Sequence, residues 1–459
     1  MIGSTLFYVL AFVVALGILV AIHEYGHFWT ARTLGVKVLR FAVGFGRPIW
    51  KRTGADGTEY VVAMVPLGGY VKMLDEREGD VAPEDVDRAF NRQSVWTRIA
   101  IVAAGPIANF LLAIAAYWLM FVIGISGLAP RMDTPVAGSS AERAGVVAGS
   151  EIIGVGGRDT ASWESVRLAM LDSVLASPDQ PVPLLVRDAD GTTSEIALSV
   201  DARGALENGT DIVADAGLRA WLPPLAPVID VVSPGEAAAS AGLRSGDRIV
   251  AVDGAAVTTW SDWVQHIRGN PGEPLRLQIE RDNATAELTL IPGVKGEGDA
   301  RYGFIGASAK ADEAYLQAID ALQTVDRRGP LEAASSAVAQ TWHMTSLTVQ
   351  MIGKLITGQA ALENVSGPLT IAQFAGESAS VGIDHYLKFI ALISVSLAVL
   401  NLLPVPVLDG GHLLFFAIEV VKGSPLSERT QLFGQQIGLA LLAGLMCLAF
   451  YNDILRLLG

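Results

Sequence analysis

The chain has 459 residues, 51% of them hydrophobic and 17% charged, with a formal net charge of −14. That balance points away from a wholly soluble protein and towards membrane segments carrying soluble parts, and the excess of acid argues against nucleic acid as a partner. The single cysteine, Cys447, leaves no intrachain disulfide and no cysteine-rich metal site.

Residues 5–31 form the first apolar run. It is too long for a signal-peptide core and lacks a basic leader and a small-residue cleavage site, so it predicts a retained transmembrane helix. Near its end stands His23-Glu24-Tyr25-Gly26-His27, an H-E-x-x-H. Histidines four apart lie on one helical face, where both imidazoles can reach a single ion. Zinc accepts imidazole nitrogen at about 2.0–2.1 Å, and a catalytic site keeps one position open for water. Glu24 is then placed to take a proton from that water. The plainer alternative is a pair of packing histidines, but ionisable groups in a membrane-length segment are expensive and usually functional.

A second apolar run covers residues 99–128, with Gly105-Pro106 near its start, and two more cover 387–421 and 432–454. Arg32, Lys37, Arg40, Lys51, Arg52, Arg92 and Arg98 crowd the first connection, and Lys422 and Arg429 the last. By the positive-inside rule both are cytoplasmic, with the termini and the long central region outside. The first connection also carries β-prone runs on either side of Pro66 and Gly68-Gly69, which predict a hairpin turning there. Residues 75–87 are acidic and read as a solvated loop.

The central region repeats. Ala144-Gly145-Val146, Gly149, Ile152-Ile153, Gly157 and Trp163 recur 97 residues later as Ala241-Gly242-Leu243, Gly246, Ile249-Val250, Gly254 and Trp260. The repeated pattern resembles a PDZ domain seen twice, a module that grips an extended peptide by strand addition and captures its terminal carboxylate in a backbone nest. Gly217-Leu218 and Tyr302-Gly303-Phe304 are the candidate nests. Residues 311–384 read as helical, with 340–356 apolar enough to lie along a membrane surface; His266, His343 and His385 stand alone and read as structural.

A catalytic zinc normally takes a third protein ligand. The stretch from Asn401 to His412, N-L-L-P-V-P-V-L-D-G-G-H, supplies a candidate. Asp409 is the one acid in an apolar stretch, where a charge needs a cation or a partner. His412 competes with it as ligand, with Asp409 preferred and the glycines behind it read as flexible. Pro404 and Pro406 break the helix and free backbone carbonyls that must face protein or a cavity, and Asn401 suits hydrogen bonding to a peptide backbone.

H-E-x-x-H in a first membrane helix, N-x-x-P-x-P-x-L-D-G in a third, and a tandem PDZ-like repeat between the second and third together resemble the bacterial site-2 proteases of the sigma-E-regulating type. The resemblance covers nearly the whole chain. It implies His23, His27 and Asp409 as zinc ligands, Glu24 as catalytic base and Asn401 as a substrate-binding residue. It further implies that the hairpin with Val61, Val62, Gly68 and Gly69 re-enters the membrane and presents substrate as an added strand, with Gly44-Phe45-Gly46 matching a family element ahead of it. The implied fold is a multi-pass α-helical membrane protein of four transmembrane helices with a membrane-associated β-hairpin, plus two tandem α+β PDZ domains. Its expected parts are residues 1–126, the PDZ domains 127–221 and 222–310, a helical region 311–385, and the last two spans 386–459. The implied activity is zinc-dependent cleavage of single-span membrane proteins in the bacterial inner membrane, on anti-sigma-factor-like substrates after a first cut and on signal-peptide remnants. Partners are then these substrates, peptides at the PDZ domains and the lipid bilayer. A non-catalytic PDZ receptor and a transporter are the rivals. Glu24 argues against the first; the lack of a visible inverted repeat argues against the second.

Overall fold

The structure, a computed structural model, describes residues 2–77, 79–177, 180–200, 211–296, 301–358 and 366–458. Parts of the acidic loop and of the helical region, residues 78 and 359–365, lie outside the described residues. The chain divides into two compact units, Met1–Ile125 with Arg327–Gly459, and Ser126–Asp326.

Among the described residues, the first unit contains four helices long and apolar enough to cross a membrane. They are helices Ile2–Thr33, Val95–Ile123, Ile383–Leu402 and Glu428–Leu458, called here the first to fourth apolar helices. Small residues let them approach: a side chain at Gly26 would run into the Ala104 carbonyl and the Ala108 methyl of the second helix. Hydrogen bonds then tie the third helix to the other two. Ser394 Oγ donates to Asn109 O at 2.7 Å, and Tyr386 Oη donates to Ala11 O at 2.6 Å. The second helix begins at Ser94, whose side chain accepts from Thr97 N, and ends at Ile123 rather than running on to 128, because Gly124 at φ 112° terminates it.

The third apolar run does not continue as one helix. After Leu402 the segment Leu403–Leu408 is irregular, and a separate helix, Asp409–Lys422, follows. Pro404 and Pro406 lack the donors a helix needs here. The glycines after Asp409 are not flexible joints. A side chain at Gly410 would strike the backbone of Leu402 and Leu403, and one at Gly411 the backbone of Val405 and Pro406, so both serve close packing. Arg98 anchors the far end of this short helix, donating to Glu419 at 2.6 Å and lying 4.9 Å from the centre of the Phe416 ring.

Between the first two apolar helices, Val38–Thr53 and Glu59–Met73 pair as long strands. The turn joining them is 54–58, not Pro66–Gly69 as the sequence pattern suggests. Gly44 and Gly46, both at φ 91°, and Gly68 at φ 107° instead bend each strand on itself. Residues 40–43 are thus flanked by 59–62 on one side and 69–72 on the other, while 59–62 also pair with 50–53. Glu59 marks the inner position, holding Arg40 from one neighbour and Lys51 from the other. Val61 and Val62 therefore lie on an interior segment paired on both edges. Among the described residues, the outer edge of 69–73 has no strand partner.

The second unit carries the repeat into three dimensions. Glu151–Val155, Arg158–Asp159 and the start of helix Trp163–Ala176 recur at the same offset as Arg248–Val252, Ala255–Ala256 and the start of helix Trp260–Gly269. Each copy adds a hairpin, Val182–Arg187 with Thr193–Leu198 and Leu275–Arg281 with Ala284–Leu290, giving two four-stranded sheets of equivalent strand order. Capping boxes at Ser162 and Thr259 start both helices. Each copy has its own core, around Met170 and Leu184 in one and Trp263 and Leu277 in the other. Tyr302–Phe304, the second candidate nest, is a strand paired along one edge with Gly293–Lys295. The second unit runs on to Asp326 and includes strand Gln323–Asp326, paired with Ile125–Leu128, inside the region read as helical. A four-residue strand carries no periodicity to announce it.

Candidate metal centre

His23 and His27 lie one turn apart on the first apolar helix, and Asp409 opens the short helix after Leu408. The fold brings these three together. His23 Nε2 and His27 Nε2 are 3.3 Å apart, and Asp409 Oδ2 lies 3.2 Å from the first and 3.5 Å from the second. A tetrahedral ion with ligands at about 2.0–2.1 Å holds its ligand atoms roughly 3.3 Å apart, and all three edges of the triangle agree. Asp409 Oδ2 is buried without a hydrogen-bond partner. Two imidazole lone pairs and a carboxylate oxygen at such separations repel one another unless a cation lies among them. The donor set of two nitrogens and one hard oxygen suits zinc.

Groups behind the two imidazoles set their tautomers. The Ile101 carbonyl, 2.9 Å from His27 Nδ1, can only accept, so Nδ1 carries the proton and Nε2 presents its lone pair. His23 Nδ1 is 3.1 Å from Asn109 Nδ2, and Asn109 Oδ1 is buried and unpaired. With the amide exchanged end for end, so that Oδ1 takes the place of Nδ2, Asn109 accepts a hydrogen bond from Nδ1–H and His23 Nε2 presents its lone pair. Gly105 completes this wall. A side chain there would collide with His27 Nε2 and His23 Cε1, so the second apolar helix is bare where the imidazoles lie. Asn109 and Gly105 were not evident from the motifs. The available signal was a lone amide in the middle of an apolar helix, one turn after a glycine.

Glu24 is buried on the same helix, beside His23 in sequence. His412 lies outside the triangle, its ring edge-on to Phe415. Asn401 is half-buried at the end of the third apolar helix, with Pro404 and Pro406 in the segment after it. Gly69 adjoins the Glu24 stem, Gly68 contacts the Phe45 ring, and Val61 and Val62 lie further into the sheet.

The profile of peptidase family M50 matches residues 11–445. The chain belongs to peptidase family M50. It is 47% identical to the regulator of sigma-E protease RseP of Escherichia coli (strain K12), over 97% of this chain and 98% of that one. Against the protein of the same name from Salmonella typhimurium the identity is 46%, over 99% and 100%. A putative zinc metalloprotease of Vibrio cholerae is 42% identical over 98% of both chains. This M50 peptidase is a multi-pass membrane protein and a zinc metalloprotease of the site-2 type, acting in regulated intramembrane proteolysis.

Proposed function

We propose that His23 Nε2, His27 Nε2 and Asp409 hold the zinc ion and that Glu24 is the general base of peptide-bond hydrolysis. The triangle of ligand atoms, 3.2 to 3.5 Å on its edges around an unpaired buried carboxylate oxygen, carries this reading. Bound there, zinc would supply polarisation of the scissile carbonyl and acidification of water. Glu24 takes a proton from the attacking water and delivers it to the leaving nitrogen. Asn401 hydrogen-bonds the substrate backbone, and Pro404 and Pro406 keep 403–408 from closing into a helix, leaving room for an extended chain.

Substrate adds as a strand to the outer edge of 69–73, which has no strand partner among the described residues; Gly69 lies on that segment, Gly68 just before it, and Val61 and Val62 behind it in the sheet. Ile49, Trp50 and Met64 are exposed on this sheet, which supports its dipping into the membrane. An open strand edge at that depth demands a partner or a wet cavity, and a substrate strand provides the partner. The two copies of the second unit act as PDZ domains that receive peptide outside the membrane, while the zinc lies towards its cytoplasmic face. The substrates are single-span membrane proteins, anti-sigma-factor-like after a first cut, and signal-peptide remnants. The relatives' name, regulator of sigma-E protease, supports that class.

The test is Glu24→Gln in the purified full chain, with zinc content and cleavage of a model transmembrane substrate measured on one preparation. Zinc should stay near wild-type content while cleavage falls about 10²–10⁴-fold. Cutting at near the wild-type rate would overturn the assignment.

A further inference from the structure

Gly69 sits on the stem of the proposed base. A Cβ built there would come within 2.7 Å of Glu24 Cγ, 2.9 Å of Val20 Cγ1 and 2.7 Å of the Ala42 carbonyl oxygen. Val20 and Glu24 are one helical turn apart and both buried, so they form one strip of the first apolar helix. Gly69, opposite Val43 in the sheet, lies across that strip. The two adjacent glycines have different reasons to be glycine. Gly68 has φ 107°, a conformation that side chains rarely adopt, whereas Gly69 has no positive φ. Space alone requires Gly69: any side chain would force the sheet and the Glu24 stem apart.

We infer that Gly69 is a positioning residue for Glu24, its bare backbone clamping the stem of the base against the first helix so that the carboxylate is fixed at the reaction centre. The inference rests on the reading of Glu24 as base and assigns to Gly69 a role beyond the strand edge. The two roles move different constants. Strand addition uses backbone N–H and C=O groups, which alanine keeps. A methyl at position 69 instead meets the Ala42 carbonyl on one side and Glu24 Cγ and Val20 Cγ1 on the other; the backbone at Ala42 keeps it from backing away from the helix, so the Glu24 stem is what gives. Displacement of a catalytic group by about 1 Å can lower the rate about a hundredfold.

The experiment compares the full-length wild type with Gly69→Ala, Val20→Ala, the double variant and Glu24→Gln. Zinc content, kcat and KM are measured for one model transmembrane substrate. Gly69→Ala should keep its zinc and a KM within about twofold of wild type, while kcat falls about tenfold to a hundredfold. Val20→Ala alone should cut at near the wild-type rate. Added to Gly69→Ala, it opens one side of the crowded strip and should restore part of kcat. A KM effect with normal kcat would make Gly69 only a substrate contact, and loss of zinc would make it a support of the fold. Either result overturns the inference, as does a double variant no faster than Gly69→Ala. An active Glu24→Gln would instead sink the reading of the base itself, so the two failures are distinguishable.

Discussion

A methyl group at position 105 would land on the nitrogen with which His27 faces the cluster. Gly105→Ala should therefore weaken zinc about tenfold to a hundredfold, the range found when the supports of metal ligands are altered, as read by competition with a chromophoric chelator. Asn109 makes a sharper case, because the role proposed for its amide oxygen is to accept a hydrogen bond from His23 Nδ1–H. Asn109→Leu should weaken zinc to a similar degree, whereas Asn109→Asp keeps an acceptor oxygen and should retain the metal. Equal loss in both would show that Asn109 serves packing and not the His23 tautomer. The three residues proposed as ligands stood out in the sequence because each broke a strong local rule, an ionisable group in apolar surroundings. Asn109 could not, since its partner lies 86 positions away and nothing local distinguishes it from a packing amide.

Among elements, those with a period or a repeat were legible. The first helix declares itself by length, and the constant offset between the two copies of the second unit survives as equivalent sheets and capping boxes. The bent sheet was only half legible. The β-prone runs were visible, but its fold depends on the left-handed glycines Gly44, Gly46 and Gly68, which can equally mark an ordinary turn. The copies also differ in a way that can be tested. In the second copy, Asp247 is buried and accepts from Arg281 at 2.6 and 2.7 Å; the corresponding position in the first copy is Ser150. Burial pushes the Asp247 carboxyl up, but the Arg281 guanidinium and the Arg244 N–H outweigh it and hold it below the usual carboxylate range. A carboxylate lowered by folding adds stability that is present above its unfolded pKa of about 3.9 and is lost as pH falls through the folded value. The protection of the Leu277 and Ile279 amides against hydrogen exchange, taken relative to the intrinsic rate at each pH, should therefore fall below about pH 4, and by less in Asp247→Asn, which is already destabilised at neutral pH. An acid response unchanged by that substitution would remove Asp247 as its cause.

For the whole molecule, family membership and two compact units fit a division of labour between a unit with the proposed metal site and a unit with the repeated sheets. The first unit is assembled from both ends of the chain, with His23 and His27 near the N-terminus and Asp409 near the C-terminus. We propose that these three residues, without His412, hold the zinc. The measurement that bears on it most directly is zinc stoichiometry in purified full-length Asp409→Asn beside His412→Ala. Asp409→Asn, having exchanged an anionic ligand oxygen for a neutral one, should lose most of its zinc, and His412→Ala should keep it. Full zinc in Asp409→Asn with loss in His412→Ala would contradict the account.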